Sequence, residues 1–89
     1  MNGIDKIAKE RKEQIEKHGY TVENDLRYVK GQLLMAATAI IQVDDEHWPT
    51  DWDKGQYEKI MAKPRTDQLA IAGALVAAEI DCDIAYNGN

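Results

Sequence analysis

Asp67-Gln68-Leu69-Ala70-Ile71-Ala72-Gly73-Ala74-Leu75-Val76-Ala77-Ala78-Glu79-Ile80-Asp81-Cys82-Asp83-Ile84-Ala85-Tyr86 is the stretch that decides the fold. It has no proline, and its apolar residues recur at helical spacing. Leu69, Ala72, Val76, Ile80 and Ile84 make one stripe, while Ile71, Leu75 and Cys82 make a second. The spacing predicts a helix about 30 Å long, at roughly 1.5 Å per residue. Ala70, Gly73, Ala74, Ala77 and Ala78 fill the gaps, and residues this small let neighbouring helices come close. A helix that is apolar on more than one face must be covered on more than one face.

Moving towards the N-terminus, Pro64 ends a short helix expected from about Asp53 to Ala62, with Tyr57, Ile60 and Met61 on one side. A connector holding His47-Trp48-Pro49 and Trp52 precedes it. The second long helix is expected from about Asp25 to Val43, with Asp44-Asp45-Glu46 ending it. Its middle, from Leu33 to Ile41, is apolar on nearly every side. Tyr20 to Asn24 reads as a connector. The first helix is expected over Gly3 to His18, with Asn2 as its cap, Asp5 in its first turn and Gly19 just past its end. Ile4, Ala8, Arg11, Ile15 and His18 fall on one stripe, with Ile7 beside it, and Lys and Glu residues crowd the other faces.

The expectation is a single all-α domain over residues 1–89, a small bundle of three main helices plus one short helix. Eighty-nine residues bury a modest share of their surface, so the core is thin unless something supplements it. The single cysteine, Cys82, excludes an internal disulfide framework, and no Cys/His cluster has zinc spacing. Homo-oligomerisation is the supplement that remains, because one chain offers too few partners for both the second and the last helix. The net charge of −5 argues against duplex nucleic acid as a partner. A small anionic ligand needs only a few well-placed cations. No stretch approaches the length of a membrane span, and the first residues lack the apolar segment of a signal peptide, so a cytoplasmic location is expected.

The residues that break the apolar pattern carry the functional reading. Arg11 lies one turn from Ile7 and one from Ile15, with Glu10 and Gln14 flanking the stripe. Glu79 interrupts an apolar face of the last helix, and Gln32 precedes Leu33-Leu34. Buried charges are costly unless paired, so Arg11 and Glu79 read either as an ion pair or as parts of a polar pocket in which Arg11 faces an anion. Trp48, Trp52 and Tyr57 are concentrated in the connector and short helix of a chain that has only two Trp, four Tyr and no Phe. Such rings either stack on a nucleobase or cap the end of the bundle. Lys63 and Arg65 flank Pro64 before the last helix, where a phosphate or solvent would meet them. There is no catalytic triad, glycine-rich phosphate loop or zinc spacing. Acidic residues are the available metal ligands, and magnesium is the ion they would suit.

Several stretches together resemble the small phage and prophage proteins often called MazG-like. They are Ala8-Lys9-Glu10-Arg11-Lys12-Glu13-Gln14-Ile15 with His18-Gly19, Gly31-Gln32-Leu33 with Ala36-Ala37, Trp48-Pro49 with Trp52-Asp53, and Ala72-Gly73-Ala74-Leu75 with Ala78-Glu79-Ile80-Asp81. The resemblance implies an all-α fold, a phage or prophage origin, hence the cytoplasm of a bacterial host, and a connection to nucleotides. MazG-type pyrophosphohydrolases hold magnesium through a Glu-x-x-Glu pair and a Glu-x-x-Asp pair on two helices. Glu10 and Glu13 match the first spacing, as do Glu13 and Glu16. The second is broken, because Cys82 follows Glu79 at that distance and Asp83 comes one residue later.

Three functions follow as expectations. The first is binding of a nucleotide or nucleotide-derived signal without hydrolysis, as an anti-defence sponge, with Glu10, Arg11, Gln14, Gln32, Trp48, Trp52, Lys63, Arg65 and Glu79 as ligand-binding residues and no cofactor. The second is a magnesium-dependent pyrophosphohydrolase with Glu10, Glu13, Glu79 and Asp83 as ligands. The third is a module whose apolar helices cover a host protein.

Overall fold

Asn2 and Asp5 start the chain's first helix by a reciprocal exchange. The Asp5 N–H donates to Asn2 Oδ1 at 2.9 Å, and the Asn2 N–H donates to Asp5 Oδ2 at 3.4 Å. Two amides at the helix start, which would otherwise lack partners, are satisfied in this way. The structure, a computed structural model, describes residues 1–18 and 31–87. Among them are four α-helices and no strand: α1 (Gly3–His18), α2 (Gln32–Gln42), α3 (Lys54–Met61) and α4 (Arg65–Asn87), with a 3-10 turn at Asp45–His47. The fold is all-α, with three longer helices and one short one, as the sequence reading expects.

The second helix is shorter than expected. Gly31 has φ +74°, a left-handed conformation that a right-handed helix cannot run through, so α2 begins at Gln32. The stretch expected to be helical before Gly31 lies outside the described residues. The other end of α2 closes with a Schellman-type pair of bonds, from Asp44 N–H to the Ala39 carbonyl at 3.0 Å and from Val43 N–H to the Ile40 carbonyl at 3.4 Å. Val43 takes the left-handed position at φ +54°, where glycine is usual.

Helix α4 is the spine. It packs against α1 and α2, and α3 adds a smaller contact. On one side, Ala72, Leu75, Ala78 and Cys82 join Leu33, Ala36, Ala37 and Ile40 of α2 in the core. Arg65 at the start of α4 reaches the end of α2, so these two helices run antiparallel. On another side, Ile7 of α1 sits over Gly73, where a Cβ would come within 2.7 Å of Ile7 Cδ1. The glycine is the notch into which α1 fits.

Two expectations about α1 change. The buried residues on its inner face are Arg11 and Gln14, with Ile7 half-buried, whereas Ile4 is 78% and Ile15 42% exposed. The helix is therefore rotated away from the expected stripe. Ile7 in the Gly73 notch and Arg11 on Asp81 set that rotation. Arg11 Nη2 and Nε donate to Asp81 Oδ2 at 3.0 and 3.2 Å, so the carboxylate it meets on α4 is Asp81 rather than Glu79. Asp81 lies about 80° around the helix from Gly73, whereas Glu79 lies about 120° away in the other direction. Asp81 is the nearer of the two to the side facing α1.

The notch gives a direct test. Gly→Ala inside a helix ordinarily stabilises by about 1 kcal/mol, but at position 73 the new methyl must displace Ile7. In an Ile7→Ala background Gly73→Ala should recover the full gain, so a double-mutant cycle by urea unfolding should show about 1 kcal/mol or more of coupling. Additive effects would mean that α1 does not seat at Gly73.

Candidate functional site

The joint between α3 and α4 organises the wall of a cavity. Asp53 caps α3 by accepting from the Gly55 N–H at 2.9 Å. At the far end of α3, Pro64 breaks the helix, and its own carbonyl accepts the first bond of α4, from Gln68 N–H at 3.1 Å. The buried Gln68 side chain then stitches the turn, with Nε2 donating to the Met61 and Lys63 carbonyls at 3.1 and 2.9 Å. Its Oε1 accepts from Arg65 Nη1 at 3.0 Å. These bonds hold Lys63 and the last turn of α3 in place beside α4.

Between α1, the connector, α3 and α4 lies a cavity of about 260 Å³. From α1 come Glu10, Glu13 and Gln14. From the opposite wall come Gln56, Lys59 and Ile60 of α3, with Lys63 just after it, at the i, i+3, i+4, i+7 spacing of a single helix face. Ile71 and Leu75 of α4 give the apolar floor, and Trp48 and Trp52 complete the walls. Acids enter from one helix and lysines from another, with indoles and aliphatic carbons between them.

The two tryptophans divide the work. Trp48 is 5% exposed, packs edge-on to Trp52 with ring centroids 5.5 Å apart, and lies 5.4 Å from the Tyr57 ring. Its indole N–H donates to the Asp53 carbonyl at 3.3 Å, so it anchors the connector. Trp52 is only partly buried and is the ring better placed to meet a ligand. Burial first, then the charges of Asp45 and Asp44, hold the Tyr57 phenol above its ordinary pKa, so Tyr57 stays neutral through the physiological range.

A buried acceptor in this wall has no partner among the described residues. Gln14 is 5% exposed, and its Oε1 is buried with no hydrogen bond among the described residues. An unsatisfied buried acceptor costs on the order of 1–3 kcal/mol. The last torsion of a glutamine is soft, so the amide can turn towards a donor placed in the cavity.

Of the nine residues expected at a ligand site, the cavity gathers Glu10, Gln14, Trp48, Trp52 and Lys63. The other four are elsewhere. Arg11 is engaged with Asp81. Gln32 Nε2 donates to Asp51 Oδ1 and Oδ2 at 2.6 and 2.8 Å, pinning the start of α2 to the connector. Arg65 donates to the Ile40 and Ile41 carbonyls at 2.9 and 2.6 Å, satisfying the exposed end of α2 instead of a phosphate. Glu79 is not among the walls. Sequence reading missed Gln56 and Lys59, although their spacing with Ile60 and Lys63 was present in the chain.

The magnesium reading names four carboxylates. Glu10 and Glu13 line the cavity and Glu79 and Asp83 do not, and among the described residues no group of three or more His, Cys, Asp or Glu side chains is placed to hold a metal ion. Compared with known proteins, the chain matches no family model, no curated protein and no solved structure.

Arg65 provides a control on this assignment. Arg65→Ala removes charged hydrogen bonds to two helix-end carbonyls and should cost about 1.5–3 kcal/mol in urea unfolding. At a temperature where the variant is folded, its affinity for any cavity ligand should be unchanged. Loss of affinity at full stability would place Arg65 in the site after all.

Proposed function

We propose that the chain binds a nucleotide or nucleotide-derived small molecule in the cavity between α1, α3 and α4 and holds it without hydrolysis, serving as a sponge for such a molecule. The observation that carries this reading is the composition of the walls. A partly buried indole offers a stacking face, two lysines suit an anion, and two carboxylates and an amide oxygen that no described residue engages suit the polar edge of a ring. The volume is near the lower end of ligand pockets, roughly 300–1,000 Å³, and suits one nucleotide rather than a long chain. The walls contribute no Ser, Thr, Cys or His, so the side chains able to take a proton are Glu10 and Glu13 from one helix. That set is better suited to holding a ligand than to cleaving it.

The same reading keeps the kinship with small phage and prophage MazG-like proteins, and with it the cytoplasm of a bacterial host. Among the described residues no helix is long and apolar enough to cross a membrane. It also expects copies of the chain to pair. Leu34, Met35 and Ile41 of α2 and Leu69, Ile80 and Ile84 of α4 are 40–54% exposed in the single chain, and faces of this kind are what a second copy would cover. Sedimentation equilibrium should give at least twice the 10.0 kDa chain mass, and a strict monomer would remove this part of the reading. The pyrophosphohydrolase alternative retains Glu10 and Glu13 at the cavity.

Calorimetric titration with the common nucleotides, followed by chromatography of the recovered ligand, tests the proposal. The expected result is saturable binding with the nucleotide returned intact, weakened about tenfold or more in Trp52→Ala, since a stacked base contributes about 1–3 kcal/mol. Magnesium-dependent release of pyrophosphate would reinstate the enzyme. Absence of binding by every nucleotide would favour a protein partner.

A further inference from the structure

Resting on the nucleotide-binding reading, the cavity also says which base it takes. A carboxylate and an amide oxygen accept hydrogen bonds, so the ring edge turned towards Glu10 and Gln14 must donate. These two residues sit one turn apart on the same face of α1. Glu13, the other acid of this wall, lies 3.9 Å from Lys17, whereas no ion pair or hydrogen bond engages the Glu10 carboxylate among the described residues. Gln14 Oε1 is a buried acceptor with no partner among the described residues. The α1 wall therefore offers a two-oxygen carboxylate and a further acceptor beside it.

The bases answer this wall differently. Adenine sets one donor, its amino group, beside a ring nitrogen that accepts and would oppose a carboxylate oxygen. Cytosine does the same. Uracil and thymine have one ring N–H between two carbonyls. Guanine alone places two donors side by side, the N1–H and the 2-amino group, and these match both oxygens of one carboxylate. Its O6 accepts, and the amide of Gln56 from the facing wall can donate to it.

The other end of the ligand is set by α3. Lys59 and Lys63 are one turn apart, are exposed, and have ammonium groups that no carboxylate engages among the described residues. They form a cationic edge on the side away from α1, where a phosphate attached to the sugar of a bound base would meet bulk water and two charges. We propose that the cavity is a guanine mononucleotide site, with Glu10 reading the N1–H and 2-amino group, Trp52 stacking on the ring, and Lys59 and Lys63 taking the phosphate.

The test compares GMP, IMP, AMP and guanosine by calorimetry on the intact chain, with Glu10→Gln and Lys63→Ala as variants whose helicity is checked by circular dichroism. GMP should bind about tenfold or more tightly than AMP, because the wrong edge leaves acceptors facing one another. IMP, which keeps the N1–H but lacks the 2-amino group, should fall between them. Glu10→Gln should remove most of the preference for GMP over AMP. Guanosine should bind more weakly than GMP by a factor that shrinks with added salt and in Lys63→Ala. AMP binding as well as GMP, or IMP as well as GMP, would overturn the guanine assignment while leaving nucleotide binding intact. Failure of all four to bind would overturn the guanine assignment, and failure of every other common nucleotide as well would overturn both.

Discussion

Helix α4 is apolar around most of its circumference, and the structure follows from the need to cover it. One face takes α2 through interlocked small residues and Leu33 and Ile40. A second takes α1, which can come close because position 73 has no side chain. Two helices placed on different faces of a third leave a space between α1 and the connector side of the molecule. Helix α3 and the tryptophan connector line that space without filling it, and the cavity is what remains.

The polar groups of the fold divide according to whether they are satisfied. Arg65 and Gln68 are fully employed at helix ends, where unpaired carbonyls would otherwise be exposed or buried without partners. Arg11 fixes the rotation of α1 against α4 through Asp81, which is a registry role more than a source of stability, because Asp81 is nearly half exposed and its charge is well hydrated. Gln14, one turn on from Glu10, is buried with an acceptor that no described residue engages. Native interiors carry few such atoms, and one in a cavity wall is a reasonable mark of a binding surface.

The helices were legible because their ends are written in local chemistry. Asn2 with Asp5, Asp53 before α3, and Pro64 between α3 and α4 are each readable without tertiary information. The start of α2 was not, since Gly31 stands between Lys30 and Gln32 and nothing in its neighbours announces its left-handed φ. Five of the nine expected ligand residues fall together because inward polar residues on α1 and aromatic residues in the connector converge at one end of the molecule. Arg11, Gln32 and Arg65 lie apart from them for a common reason, since periodicity shows that a polar residue breaks a pattern but not whether a carbonyl or carboxylate of the same chain is waiting for it. Asp51, Asp81 and the end of α2 are distant in sequence from the groups they engage, and only tertiary packing brings them near.

The central claim, that the cavity beside α4 is where a ligand is held, is tested most directly by amide and indole nuclear magnetic resonance during titration with a nucleotide mixture. The account predicts that the Trp52 indole and Gln14 side-chain signals move together and saturate, while the amides of α2 around Ile40 stay in place. Movement confined to α2 or to the exposed apolar residues of α4, with Trp52 and Gln14 unmoved at saturation, would contradict it.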